Sequence, residues 1–132
     1  MSFGGSKMKR AKVTIRTEST EEFFTRLRSR AKKLDSGQTI PSEITISFED
    51  PAELLKILSS ERVRLLRQVK GEAQGVSELA IGLGRDVRAV SRDVSLLERA
   101  GLVRTRYEAN PGHGRWKVVE SLARDYRLVA TL

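Results

Sequence analysis

The chain contains no cysteine, which excludes disulfides, thiolate metal sites and cysteine nucleophiles. It has one histidine, His113, so a histidine metal cluster or a Ser-His-Asp triad would have to be built around a single turn residue. An exposed polar side chain is the simpler reading of that position. Aromatic residues are scarce at 5%, and the hydrophobic 39% implies a core of aliphatic side chains. No apolar run approaches the roughly 20 residues needed to span a bilayer. The opening Met-Ser-Phe-Gly-Gly-Ser-Lys-Met-Lys-Arg lacks the apolar stretch of a signal peptide. These absences point to a cytoplasmic protein. Met8 reads as the original start, with residues 1–7 an expression remnant.

Cofactor signatures are missing as well. Gly4, Gly5, Ser6 and Lys7 do not make a phosphate-binding loop, because the leading glycine and the preceding strand are absent. Gly82-Leu83-Gly84 lacks the third glycine of a dinucleotide fingerprint, with Val87 in its place. Glu21-Glu22 and Glu49-Asp50 are explained by helix starts rather than by acid–base pairs. No enzymatic activity, cofactor or metal is expected.

What the chain does have is positive charge. Its 132 residues carry 25 Lys and Arg against 17 Asp and Glu, a net charge of +8. Such a surface favours polyanions, because each phosphate neutralised by Lys or Arg releases condensed counterions. A merely solvated basic surface explains the charge equally well, so the arrangement of the residues has to decide.

Residues 1–11 read as a disordered or expression-derived N-terminus. Residues 12–58 read as a strand-helix-strand-helix segment supplying dimer or partner contacts. The alternation of 12–16 predicts a strand, and Ser19, Thr20, Glu21 and Glu22 form a helix start with acids in the first turn. Phe23, Phe24, Leu27, Ala31 and Leu34 follow at helical spacing, opposite Arg26, Arg28, Arg30, Lys32 and Lys33. A second strand spans 44–48, after Pro41. Asp50 caps a short helix with Pro51 at its first position. Without this segment, the chain from Asp50 onward is expected to fold by itself.

Residues 59–120 carry a different pattern: helix, short helix, tight turn, longer helix and β-hairpin. Ser60 is the expected cap of the first helix, whose apolar positions are Val63, Leu65, Leu66 and Val69. Ser77 is the expected cap of the short helix through Leu83, with Val76 as a preceding staple. Small residues Ala80, Gly82 and Gly84 allow close helix packing across a short turn. Asp86 caps a helix of about 86–100, terminated by Gly101. Its Val87, Val90, Val94 and Leu97 are expected to face inward, while Leu96 falls toward the polar side, under the hairpin or against the N-terminal segment. Strands then follow at 102–107 and 115–119. Residues 121–132 are a C-terminal tail or strand, with 126–130 the candidate strand.

This order predicts an α+β fold, a winged helix-turn-helix with an N-terminal strand-helix-strand extension. The candidate DNA-binding residues are Ser77, Arg85, Arg88, Ala89, Ser91, Arg92, Ser95 and Arg99 on the two helices and their turn. Arg104, Arg106, Arg115 and Lys117 join them on the hairpin. An α-helix of this character fits a major groove, where Arg bonds guanine O6 and N7 bidentately. Asp93 is placed to orient a neighbouring arginine. Trp116 either packs the wing onto the core or touches the sugar–phosphate edge.

The stretches Ser77-Glu78-Leu79-Ala80, Leu83-Gly84-Arg85-Asp86, Val90-Ser91-Arg92-Asp93-Val94 and Leu97-Glu98-Arg99-Ala100-Gly101-Leu102-Val103 resemble winged-helix regulators in general. With Phe48-Glu49-Asp50-Pro51 before Leu54-Leu55, and Glu21-Glu22-Phe23 upstream, residues 8–105 are similar to a prokaryotic family of predicted helix-turn-helix regulators, often regarded as antitoxin-like. The resemblance implies DNA binding through the helix at 86–100 and dimer or toxin contacts through other segments. After residue 108 the chain departs from that pattern.

Three functions therefore compete. The first is a sequence-specific, repressor-like regulator of double-stranded DNA, acting as a homodimer because operators commonly mirror a two-fold axis. The second is an antitoxin-type interaction protein that neutralises a partner toxin and autoregulates its operon. The third is an architectural DNA binder without sequence preference.

Overall fold

The computed structural model describes residues 12–38, 43–112 and 114–130. Residues 1–11, Pro41 and His113 lie outside them. In chain order the elements are β1 (Lys12–Thr17), α1 (Thr20–Asp35), β2 (Glu43–Phe48), α2 (Pro51–Ile57) and α3 (Ser60–Val69). There follow β3 (Gln74–Gly75), α4 (Val76–Leu83), α5 (Val87–Arg99), β4 (Val103–Asn110), β5 (Gly114–Ser121) and β6 (Tyr126–Val129). The fold is an α+β winged helix-turn-helix: α3, α4 and α5 pack beside the antiparallel sheet β3-β5-β4.

A second, three-stranded sheet has the order β2-β1-β6, both pairings parallel. The candidate strand near the C-terminus is thus a neighbour of the first strand, with Val13 opposite Tyr126 and Ile15 opposite Leu128. Tyr126 secures the junction. Its hydroxyl donates to the Leu102 carbonyl, accepts the Leu122 amide at 3.2 Å and meets Ser121 Oγ. Burial pushes its phenol above the ordinary value.

Both sheets contribute to one core. Val13 and Ile15 are fully buried together with Leu65, Leu79, Val90, Val94, Leu97 and Leu102. The expectation that the chain from Asp50 folds alone meets a shared core, since deleting β1 and β2 would open the face on which these side chains meet.

Local signals explain most element ends. Ser19 caps α1 through a reciprocal pair, accepting the Glu22 amide at 3.1 Å while the Glu22 carboxylate accepts the Ser19 amide at 3.2 Å. Asp50 accepts the Ala52 amide at 2.9 Å, and Pro51 follows at the first helical position. Two expected caps shift. Ser59, not Ser60, caps α3. α4 starts at Val76 behind Gly75, whose amide is accepted by the Glu78 carboxylate at 3.1 Å, so Ser77 lies inside the first turn. A Cβ at Gly75 would stand 3.0 Å from the Trp116 ring, so a side chain there would press the ring aside. Trp116 therefore packs the hairpin onto the start of α4.

No residue of α1 is buried. On the sheet face opposite Val13 and Ile15 stand Thr14, Arg16, Thr45 and Ser47, with Thr14 buried, a polar face that offers the helix no apolar seat. The link between the two is ionic. Glu18, buried just beyond β1, accepts Arg26 Nη2 at 2.9 Å and the Ser47 hydroxyl, with Arg16 Nε at 3.6 Å. The Arg26 hydrogen bond, outweighing desolvation and aided by Ser47 and the nearby guanidinium charges, holds the Glu18 carboxyl below its ordinary 4.5. A folded-state pKa below the unfolded one stabilises the fold above the ordinary value, and that stabilisation disappears as pH falls through the folded value. The melting temperature should therefore drop more steeply below pH 4.5 in the parent than in Glu18→Gln. Parallel acid profiles of the two proteins would show that this carboxylate does not couple to folding.

Candidate nucleic-acid interface

The helix-turn-helix is formed by α4, a turn and α5. Gly84 ends α4 in the left-handed conformation at φ 64°, where a side chain would be strained. Asp86 then caps α5, accepting the Arg88 amide at 3.3 Å. Val90, Val94 and Leu97 face the core as the spacing predicts. Val87 does not. It is 45% exposed, on a first turn whose neighbours Asp86 and Arg88 are exposed as well.

The opposite side of α5 borders an open hollow of about 650 Å³ lined by Arg62, Arg88, Ser91, Arg92, Asp93, Ser95, Leu96 and Arg99. Five of the expected contact residues, Arg88, Ser91, Arg92, Ser95 and Arg99, are thus brought to one surface. Arg88, Arg92 and Arg99 are exposed. Among the described residues, none of the three side chains has an ion-pair or hydrogen-bond partner. Leu96 takes its place in the wall of this hollow. Arg62, at the start of α3, also lines it. The sequence pattern did not single out this residue, since a lone arginine in a first helical turn carries no periodic signal.

Other expected residues are placed differently. Ala89 is half-buried outside the hollow, and Ser77 is exposed on the first turn of α4. Arg85 turns back into the protein, with Nη1 2.7 Å from Asp93 Oδ2 and Nε 3.4 Å from Glu61 Oε2.

On the hairpin, Arg104 and Arg106 both pair with Glu120, Arg104 at 3.3 Å, and Arg106 also reaches Glu108 at 2.9 Å. Two carboxylates offset those two charges. Arg115 stacks its guanidinium 5.5 Å from the centre of the Tyr107 ring, and Lys117 stands opposite Tyr107 in the strand register. The uncompensated charge of the wing therefore lies near its tip, beside Gly112 and Gly114, both at φ 80°. At its base, Glu98 accepts the Thr105 amide at 2.9 Å and its hydroxyl at 2.6 Å, tying the end of α5 to β4.

The family described as HVO_A0114 matches residues 57–115. That stretch runs from the end of α2 to the start of β5 and contains the whole helix-turn-helix. No curated protein matches the chain. Among solved structures, the chain is similar to reduced HlyU from Vibrio cholerae, with 21% identity over 74% of this chain and 80% of that one, at a TM-score of 0.46. It is also similar to a possible transcriptional regulator from Methanosarcina mazei, with 15% identity over 56% and 66% and a TM-score of 0.46. A third is the homodimeric winged helix-turn-helix DNA-binding domain of Mb0332 from Mycobacterium bovis, a possible ArsR-family regulator. It shares 19% identity over 59% and 75%, at a TM-score of 0.44. Similarity at this level is too distant to carry function across, so the functional reading rests on the chain's own surface.

Proposed function

We propose that the chain is a sequence-specific regulator of transcription, repressor-like, that binds double-stranded DNA with α5 in the major groove. The observation that carries this reading is the unpartnered trio Arg88, Arg92 and Arg99 along one exposed face of α5, directly after the glycine turn. Arginines engaged in stabilising the fold would have carboxylates, as Arg104 and Arg106 do. Ser91 and Ser95 add short hydroxyls to the same face. The tip of the wing, with Arg115 and Lys117, supplies contacts to phosphate. Selection of bound fragments from random DNA tests the proposal: enrichment of a common sequence supports it, and recovery without enrichment assigns the protein to architectural binding.

A second reading, in which the chain also engages a protein, is favoured by α1. Phe24 is 50% exposed and Leu34 62% exposed, and with Leu27 and Ala31 they form a seam at heptad-like spacing. An isolated helix of this length is marginal in water, so a seam of this kind calls for a mate. We take the mate to be a second copy of the chain, giving a homodimer matched to a two-fold operator. Leu27→Glu should leave the fold intact and halve the mass seen by light scattering. A dimer that survives this change does not use α1. If the parent is a monomer that acquires a mate only when co-expressed with a neighbouring small reading frame, the antitoxin reading takes precedence.

A further inference from the structure

Asp93 is the acidic residue in the wall of the arginine hollow, and it is 8% exposed. Each of its carboxylate oxygens is taken by a different guanidinium. Arg62 Nε donates to Oδ1 at 3.1 Å, and Arg85 Nη1 donates to Oδ2 at 2.7 Å. Arg62 is further fixed by donating to the Lys56 and Ile57 carbonyls at 2.6 and 3.4 Å. Arg85 has a second carboxylate in Glu61, which is half-exposed and also stands 3.5 Å from Arg64. Arg62 and Arg85 are thus held at the border of the surface that presents Arg88, Arg92 and Arg99, sharing one buried carboxylate, with Glu61 as a second partner of Arg85.

A recognition helix gains nothing from more positive charge of every kind. Phosphate contacts raise affinity for all sequences alike, whereas base contacts distinguish among them. We propose that Asp93 is a specificity-determining residue: it withholds Arg62 and Arg85 from the DNA backbone and so keeps binding to arbitrary sequence weak. This rests on the DNA-binding reading of α5. It also gives Arg85 a role other than direct contact. Its guanidinium is committed to Asp93, and the bases are left to Arg88 and Arg92.

The test is Asp93→Asn in the full chain, titrated with a selected duplex and with a scrambled one across a range of salt. Asparagine keeps the size of the side chain but removes the negative charge that the two guanidinium groups share. Binding to the scrambled duplex should strengthen several-fold at low salt, with a salt slope steeper by about one to two units, close to 0.9 per added phosphate contact. The preference for the selected duplex should shrink accordingly. A uniform loss of affinity for both duplexes, or an unchanged slope and preference, would overturn the proposal and leave Asp93 a packing residue. Should Asp93→Asn fail to fold, Arg85→Gln decides the matter with Asp93 in place. A withheld Arg85 predicts an unchanged salt slope, and a slope shallower by about one unit shows that Arg85 already contacts phosphate. Failure of the underlying reading looks different. The parent itself would then show no salt-dependent binding to either duplex, and Arg92→Ala would change nothing.

Discussion

Arg92→Ala should melt like the parent and lose much of its ability to tell a selected duplex from a scrambled one. The side chain is exposed and, among the described residues, without a partner, so its removal should alter stability by less than about 0.5 kcal/mol. A lost base contact, in contrast, costs about 1–3 kcal/mol at the cognate site, roughly five- to more than a hundred-fold in affinity. Arg88→Ala should behave similarly, one helical turn nearer the start of α5. If the two bind the same duplex together, the double variant should approach the affinity for arbitrary DNA. Titration by fluorescence anisotropy, with thermal melts of the same samples, separates the two effects. An Arg92→Ala protein with full discrimination would move base reading to Ser91, Ser95 or the wing.

Ile15→Ala should be among the most destabilising single changes in the molecule, despite lying far in sequence from the helix-turn-helix. Ile15 is fully buried at the centre of β1, flanked by Ile46 on β2 and Leu128 on β6. Truncating such a side chain costs about 2–5 kcal/mol through lost transfer energy and the cavity left behind. For a domain of this size that is a large part of the total. Chemical denaturation should show one transition shifted to lower denaturant, reported equally by Trp116 fluorescence and by helical circular dichroism. Two separate transitions would mean that the N-terminal sheet and the winged helix unfold independently, against the shared core described above.

Much of the helix-turn-helix was legible in the sequence, because its signals are local. Asp86, Gly84 and Gly101 mark ends by capping and backbone conformation, and Val90, Val94 and Leu97 mark the inner face by period. The same reasoning missed where geometry, not period, sets burial. Val87 keeps the period but lies on the exposed first turn, and the caps at Ser59 and Gly75 sit one and two residues before the serines that looked the part. β3 is only two residues long and carries no pattern. The charges on the hairpin were legible as charges, but the pairing of Arg104 and Arg106 with Glu120 depends on strand register. α1 showed its apolar stripe plainly. That the stripe remains uncovered follows from the polar outer face of β1 and β2, which no property of the helix itself reveals.

The pairing of β1 with β6 has a kinetic consequence. A strand flanked on both sides has no free edge, yet β1 obtains one of its flanks from residues more than a hundred positions away. During synthesis that side of β1 stays open until β6 has emerged, exposing an unpaired edge able to recruit another nascent chain. Contacts of such long range slow folding. The last step of refolding should therefore be closure of the sheet by β6, after the helices have already assembled.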